Sequence, residues 1–113
     1  MKKEDWLNNL AIYDQIIDQI PEIQRKGKTM PYTSANERMF SQLNKKGELG
    51  IRLPEKERNE FLETYKTSLF VTYNTVMKEY VLVAENMLSD IETIAHYIKI
   101  AYHYVSSLPP KKK

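Results

Sequence analysis

Apolar positions at the start of the chain repeat with the period of an α-helix. Trp6, Leu10, Tyr13, Ile17 and Ile20 follow one another at steps of four, three, four and three, and Leu7 and Ile16 widen the stripe. Asp14, Gln15, Asp18 and Gln19 supply the wet side. Pro21 cannot donate an N–H inside a helix. The pattern therefore predicts a new helical turn over residues 22–26, closed by Gly27. Residues 27–38, with Gly27, Pro31, Ser34 and Asn36, read as a connection.

From Met39 the period changes to two. Met39, Ser41 and Leu43 alternate with Phe40 and Gln42. After a loop over residues 44–48 that contains Gly47, Leu49, Ile51 and Leu53 alternate with Gly50 and Arg52. Two alternating runs about a glycine-containing loop predict a β-hairpin. Gly50 leaves one strand face open to a close neighbour such as a Tyr or Trp ring. Pro54 suits the first residue of a helix, and Glu55 and Glu57 suit the positive end of its dipole. Phe61, Leu62 and Tyr65 form that helix's buried side. Residues 69–73 are β-branched and aromatic, and Asn74 and Thr75 suit a turn. Val76, Lys78, Tyr80 and Leu82 then alternate with Met77, Glu79, Val81 and Val83. The end of this strand is apolar on both faces and belongs inside a sheet. Residues 85–89 read as a short helical turn, with Asp90 as cap of a final helix. Ile91, Ile94, Ile98, Ala101 and Val105 are its stripe, broadened by Tyr97, Tyr102 and Tyr104, and Pro109 and Pro110 stop it.

This order predicts one α+β domain over residues 1–108. It has two layers: an antiparallel sheet of about four strands, in ββ-α-ββ order, flanked by the N- and C-terminal helices. A mixed sheet split into two hairpins is the alternative. Residues 109–113, ending in three lysines, read as a flexible basic tail. A chain of 113 residues suits one domain with a single core.

Composition narrows the chemistry. There is no cysteine, which excludes disulfides, thiolate metal sites and a cysteine nucleophile. Seventeen basic residues face fifteen acidic ones, for a formal net charge of +2, with the signs interspersed before the tail. Nucleic-acid binding usually shows a basic stripe. No segment approaches the roughly twenty apolar residues of a bilayer span, and no signal-peptide core follows Lys2 and Lys3. The reading is a soluble cytoplasmic protein.

Each candidate for chemistry has a plainer explanation. Glu92, His96, Lys99 and His103 share one helix face, and Glu92 with His96 has metal-ligand spacing. Lys99 sits between the histidines and repels a cation, so the solvated-face reading prevails. Glu55, Glu57, Glu60 and Glu63 alternate with Lys56 and Arg58, the mark of an exposed, pair-laced helix. Ser34 and Ser41 lack a nucleophile elbow, and the three glycines form no phosphate loop. Tyr32, Arg38, Arg52, Tyr73 and Lys78 are the set from which a base-stacking surface would be built.

The strand–strand–helix–strand–strand–helix order resembles the TfoX/Sxy N-terminal domain family. The residues that carry the likeness are Met39 and Phe40 opening a strand and the return strand Gly47-Glu48-Leu49-Gly50-Ile51-Arg52-Leu53. Glu57-Arg58-Asn59-Glu60-Phe61 on the helix and the late strand Met77-Lys78-Glu79-Tyr80-Val81-Leu82-Val83 extend it. Met87-Leu88 and the closing helix complete it. It covers roughly residues 30–107. The family pattern has a glycine pair after the Met-Phe step; here Ser41 and Gln42 stand there. The resemblance implies the family's small α+β fold in single-domain form, without the C-terminal domain of full-length regulators of natural competence.

The function expected is a small non-enzymatic regulatory or protein-interaction domain. A weak nucleic-acid-binding module is the alternative. No catalytic residue, cofactor or metal is expected, and a protein partner is, self-association included. A binding surface is expected at the polar loop over residues 30–36, with Tyr32 to stack and Thr33, Ser34 and Asn36 to hydrogen-bond. Arg52 and Lys78 would aim charge at an anionic group, unless Arg52 serves only to pair with Glu79.

Overall fold

Helix α1, Lys3–Asp18, buries the predicted stripe: Tyr13, Ile16, Ile17 and Ile20 are enclosed, and Trp6 and Leu10 are half-buried. Leu7 departs from it and stays exposed. The computed structural model describes residues 3–27 and 30–109, so the three terminal lysines of the predicted tail lie outside it. The helix closes on tight bonds, Gln19 N–H to Ile16 O and Ile20 N–H to Ile17 O.

The helical turn expected over residues 22–26 does not form. Pro21 and Glu22 make a turn, Ile23 drops into the core, and the chain runs extended to Lys26. Lys26 and Tyr32 then exchange backbone hydrogen bonds of 2.8 and 2.9 Å. Those bonds need extended backbone, which a helical turn cannot supply.

The connection expected over residues 27–38 contains a further strand, β1 (Tyr32–Ala35), paired with β2 (Arg38–Leu43). Asn36 and Glu37 form the two-residue turn between them, both at positive φ. A sheet of five strands results, all pairs antiparallel, in the order β1-β2-β3-β5-β4. Strand β3 is Leu49–Arg52, β4 is Leu69–Thr72 and β5 is Thr75–Leu82. The sheet is continuous, not split into two hairpins.

A bulge in β2 changes one side chain's role. Thr33 pairs with Ser41, but Ser34 pairs with Met39, so Phe40 is the extra residue. Alternation alone sets Phe40 against Ser41 and Leu43. The bulge instead lets Phe40 join their core, fully enclosed and 5.9 Å from the Tyr102 ring.

Helix α3 (Ile91–Ser107) packs on β1, β2 and β3 and on α1; α2 (Glu55–Thr64) sits beside β5. Asp90 caps α3 as expected, its carboxylate accepting from Thr93 N–H, after a short 3-10 turn over Glu85–Met87. Ile94, Ile98, Ala101 and Val105 close over Leu49, Ile51 and Val81, and Phe61 of α2 joins them. Pro54 precedes the first turn of α2. Beyond that helix, Lys66 takes a positive φ of 53°, and Thr67 N–H returns to Leu62 O at 3.3 Å, a Schellman ending.

The sheet's other face is covered by its own last hairpin. Val71 pairs with Val76 and Phe70 with Met77, but Leu69 pairs with Val81, so residues 78–80 bulge out of the β4 ladder. This bend carries Phe70 onto Gly50. A methyl group there would lie 2.4–2.7 Å from the Phe70 ring. The glycine's predicted aromatic neighbour is thus a phenylalanine. Tyr80 flanks it, with centroids 6.2 Å apart, and donates to Met39 O at 2.6 Å.

Candidate interaction surface

The sheet order divides the surface expected from residues 30–36, Arg52 and Lys78. β1 lies at one edge, while Arg52 is on β3 and Lys78 on β5, with β2 between β1 and both. Tyr32 is half-buried against the Lys26 bridge. Thr33 is fully enclosed, its hydroxyl 2.5 Å from Ser41 Oγ, which lies 2.5 Å from the Tyr13 hydroxyl. This chain of three hydroxyls satisfies polar atoms in the core. Burial pushes the Tyr13 phenol up, against the hydrogen bonds of Ser41 and Thr33 that pull it down. Asn36 Nδ2 donates to Val105 O and Leu108 O, each at 2.9 Å, closing the C-terminal end of α3. Ser34 is half-buried.

Arg52 is engaged. Its Nε donates to Glu79 Oε1 at 2.9 Å, its Nη2 lies 2.8 Å from the same oxygen, and its guanidinium stands 5.6 Å from the Tyr104 ring centre. The Tyr104 hydroxyl donates to Glu79 at 3.2 Å. Its phenol is held above the usual tyrosine range, by desolvation first and then by Glu79. This partly exposed cluster ties the sheet to α3. Of the expected residues, Lys78 alone is both exposed and without such a partner among the described residues.

Glu92, His96, Lys99 and His103 are all exposed on α3. Among the described residues, no three His, Asp or Glu side chains gather as a metal would require. Glu55, Glu60 and Glu63 are exposed and Glu57 is half-buried. No described helix is long and apolar enough to cross a membrane.

The unexplained feature lies on the β4–β5 hairpin. Val71 is 45%, Tyr73 68% and Val76 52% exposed. Val71 and Val76 face each other across the strands, and Tyr73, in the turn that joins them, lines the same cleft as Val71. Phe70 and Thr72, on either side of Val71, are buried. Phe70 and Thr72 therefore turn toward the sheet, while Val71 and Val76 stand in solvent on the outer face with Tyr73 exposed at the turn.

Two neighbours frame this patch. Asn44, 4% exposed, holds the β2–β3 turn to the hairpin. Its Nδ2 donates to Val71 O and to Glu48 Oε1, both at 3.0 Å. Its Oδ1 accepts from Lys46 N–H and Glu48 N–H at 3.0 and 2.9 Å. Gly47, at φ 77°, makes this turn sterically open. The turn sets Lys45 Nζ 5.8 Å from the Tyr73 ring centre. A cleft of about 140 Å³ lies between the turns, lined in part by Lys45, Lys46 and Tyr73. On the other side, Lys78 and Val76 line one shallow groove.

Tyr73 is an unfavourable residue for its position. It and Asn74 form the two-residue turn, at φ 52° and 59°. Asn, Asp and Gly suit such positions; a bulky side chain there is strained. Sequence reasoning placed the turn one residue later, because Asn74-Thr75 looks more turn-like than Tyr73-Asn74. Val71 and Val76 passed as ordinary strand residues. The available signal was only that residues 69–77 are largely apolar on both faces. Comparison with protein-family models and with curated proteins found no match for this chain.

Proposed function

We propose that this chain is a small non-enzymatic regulatory domain, similar to the TfoX N-terminal domain, that acts by binding a protein partner in the cytoplasm. Its contact surface is the outer face of the β4–β5 hairpin. One observation carries the reading: Val71, Tyr73 and Val76 stand in solvent on one hairpin whose other face buries Phe70 and Thr72. Exposed apolar side chains are common singly; a contiguous group on a rigid element is a mark of an interface. The strain at Tyr73 points the same way, since unfavourable backbone positions persist where a side chain has another use.

A nucleic-acid contact is the second reading, favoured by the exposed Tyr73 ring beside Lys45. Affinity capture from the source lysate, with and without nuclease, separates the two. The double substitution Val71→Asp with Val76→Asp locates the surface. Protein partners that survive nuclease and are lost with the double variant support the proposal. Partners lost on nuclease treatment alone support the second reading. Partners retained by the folded double variant place the surface elsewhere.

A further inference from the structure

The charges around the hairpin define what it would bind, given the surface proposed above. We infer that the partner contributes an acidic segment, with carboxylates for Lys45, Lys46 and Lys78 and apolar side chains for Val71 and Val76. All three lysines are exposed. The ion pairs among the described residues are elsewhere, Arg25 with Asp14 and Arg52 with Glu79. From Tyr65 to Lys78 the chain holds no Asp or Glu. The carboxylates beside these lysines along the chain are already engaged: Glu48 accepts from Asn44, and Glu79 is held by Arg52 and Tyr104. The patch is therefore apolar at its centre and cationic at its rim, the arrangement in which rim charge selects the partner and apolar contact retains it.

The same charges argue against other occupants. A second copy docked by two-fold symmetry sets the same patch against itself, and lysine against lysine is repulsive. A nucleic acid would use the lysines and Tyr73, but two valines offer nothing to phosphate. The cleft of about 140 Å³ between Lys45-Lys46 and Tyr73 also touches Val71, so a docked side chain there would meet both the apolar centre and the cationic rim.

The test is selection of a phage-displayed library of random peptides on the full chain. The consensus is then synthesised with a fluorescent label and titrated by anisotropy against the wild type and Lys45→Glu with Lys46→Glu. An oligothymidylate of similar length is titrated in parallel. The expected consensus carries Asp or Glu next to Leu, Ile, Val or Phe. Its affinity should fall at least about tenfold in the double variant and decline with added salt. Circular dichroism checks the variant's fold, and Lys78→Glu replaces it if the pair disturbs the turn. An uncharged or basic consensus, no enrichment, or equal binding by the charge-reversed protein would overturn the inference. So would tighter binding of the oligothymidylate, or a concentration-dependent dimer abolished by Val76→Asp. A non-acidic consensus together with captured proteins lost in the valine double variant would leave the proposed function standing and remove only the acidic chemistry.

Discussion

Gly50→Ala tests how the last hairpin meets the sheet. The added methyl would sit 2.4, 2.5 and 2.7 Å from Cγ, Cδ2 and Cδ1 of Phe70, all inside the 3.0 Å that real contacts respect. These atoms lie at the root of the ring, so a small rotation does not clear them. Phe70 is fully buried, and the Tyr80 ring beside it is anchored on Met39 O. Two effects oppose. Alanine restricts the unfolded chain more than glycine, a gain of about 0.4–1 kcal/mol. Overpacking a filled site costs about 1–3 kcal/mol. Contact with three ring atoms at once puts this site toward the upper end, for a net loss of about 1–2 kcal/mol. For a chain of this size that lowers Tm by roughly 4–10 °C. Thermal and urea unfolding, followed by circular dichroism and Trp6 fluorescence, would measure it. Phe70→Leu in the Gly50→Ala background should recover part of the loss, so that the two changes together cost less than their sum. A Gly50→Ala protein as stable as wild type, or more stable, would refute the close approach of Phe70 to the strand.

Other consequences follow from the same contacts. Asn44→Ala removes four hydrogen bonds from a buried turn, and urea unfolding should show a loss of about 2–4 kcal/mol. Tyr73→Asn suits the positive φ better and should raise the unfolding free energy by about 0.5–1 kcal/mol after loss of the Lys45 contact, seen as a higher urea midpoint; a lower midpoint would mean that the ring is kept for stability. Stability should fall as pH rises from about 10, because burial holds the Tyr13 and Tyr80 phenols above the ordinary value and Tyr97 is pushed up to about 12. The unfolded chain then releases protons first, while below about pH 10 both states keep them. Tyr13→Phe should begin about 1 kcal/mol less stable and lose less between about pH 10 and about pH 12 in urea titrations.

Much of the fold is legible in local patterns. The α1 and α3 stripes, the hairpin around Gly47 and the Asp90 cap each depend on residues close in sequence, and apart from the exposed Leu7 each forms as the pattern predicts. What was hidden depends on distant partners. β1 reads as a loop because Pro31, Ser34 and Asn36 are turn formers; its strand character comes from pairing with β2 and from the Thr33–Ser41 contact. The bulge that turns Phe40 inward leaves no trace in an alternating sequence. The expected surface suffered for the same reason. Thr33 and Asn36 look like free polar groups until the core and the end of α3 claim them. The pairing of Arg52 with Glu79 was readable from the strands' order. The exposure of Val71 and Val76 was not, since nothing local says which face of a β-branched hairpin will be covered.

Site-specific photocrosslinking tests the hairpin surface most directly. A benzophenone amino acid replaces Tyr73 in one sample and His96, exposed on α3, in another; both are irradiated in nuclease-treated source lysate. The account predicts a discrete protein adduct from position 73, abolished by Val71→Asp with Val76→Asp, and none from position 96. Adducts from position 96 alone, or an adduct at 73 indifferent to the valine changes, would contradict it.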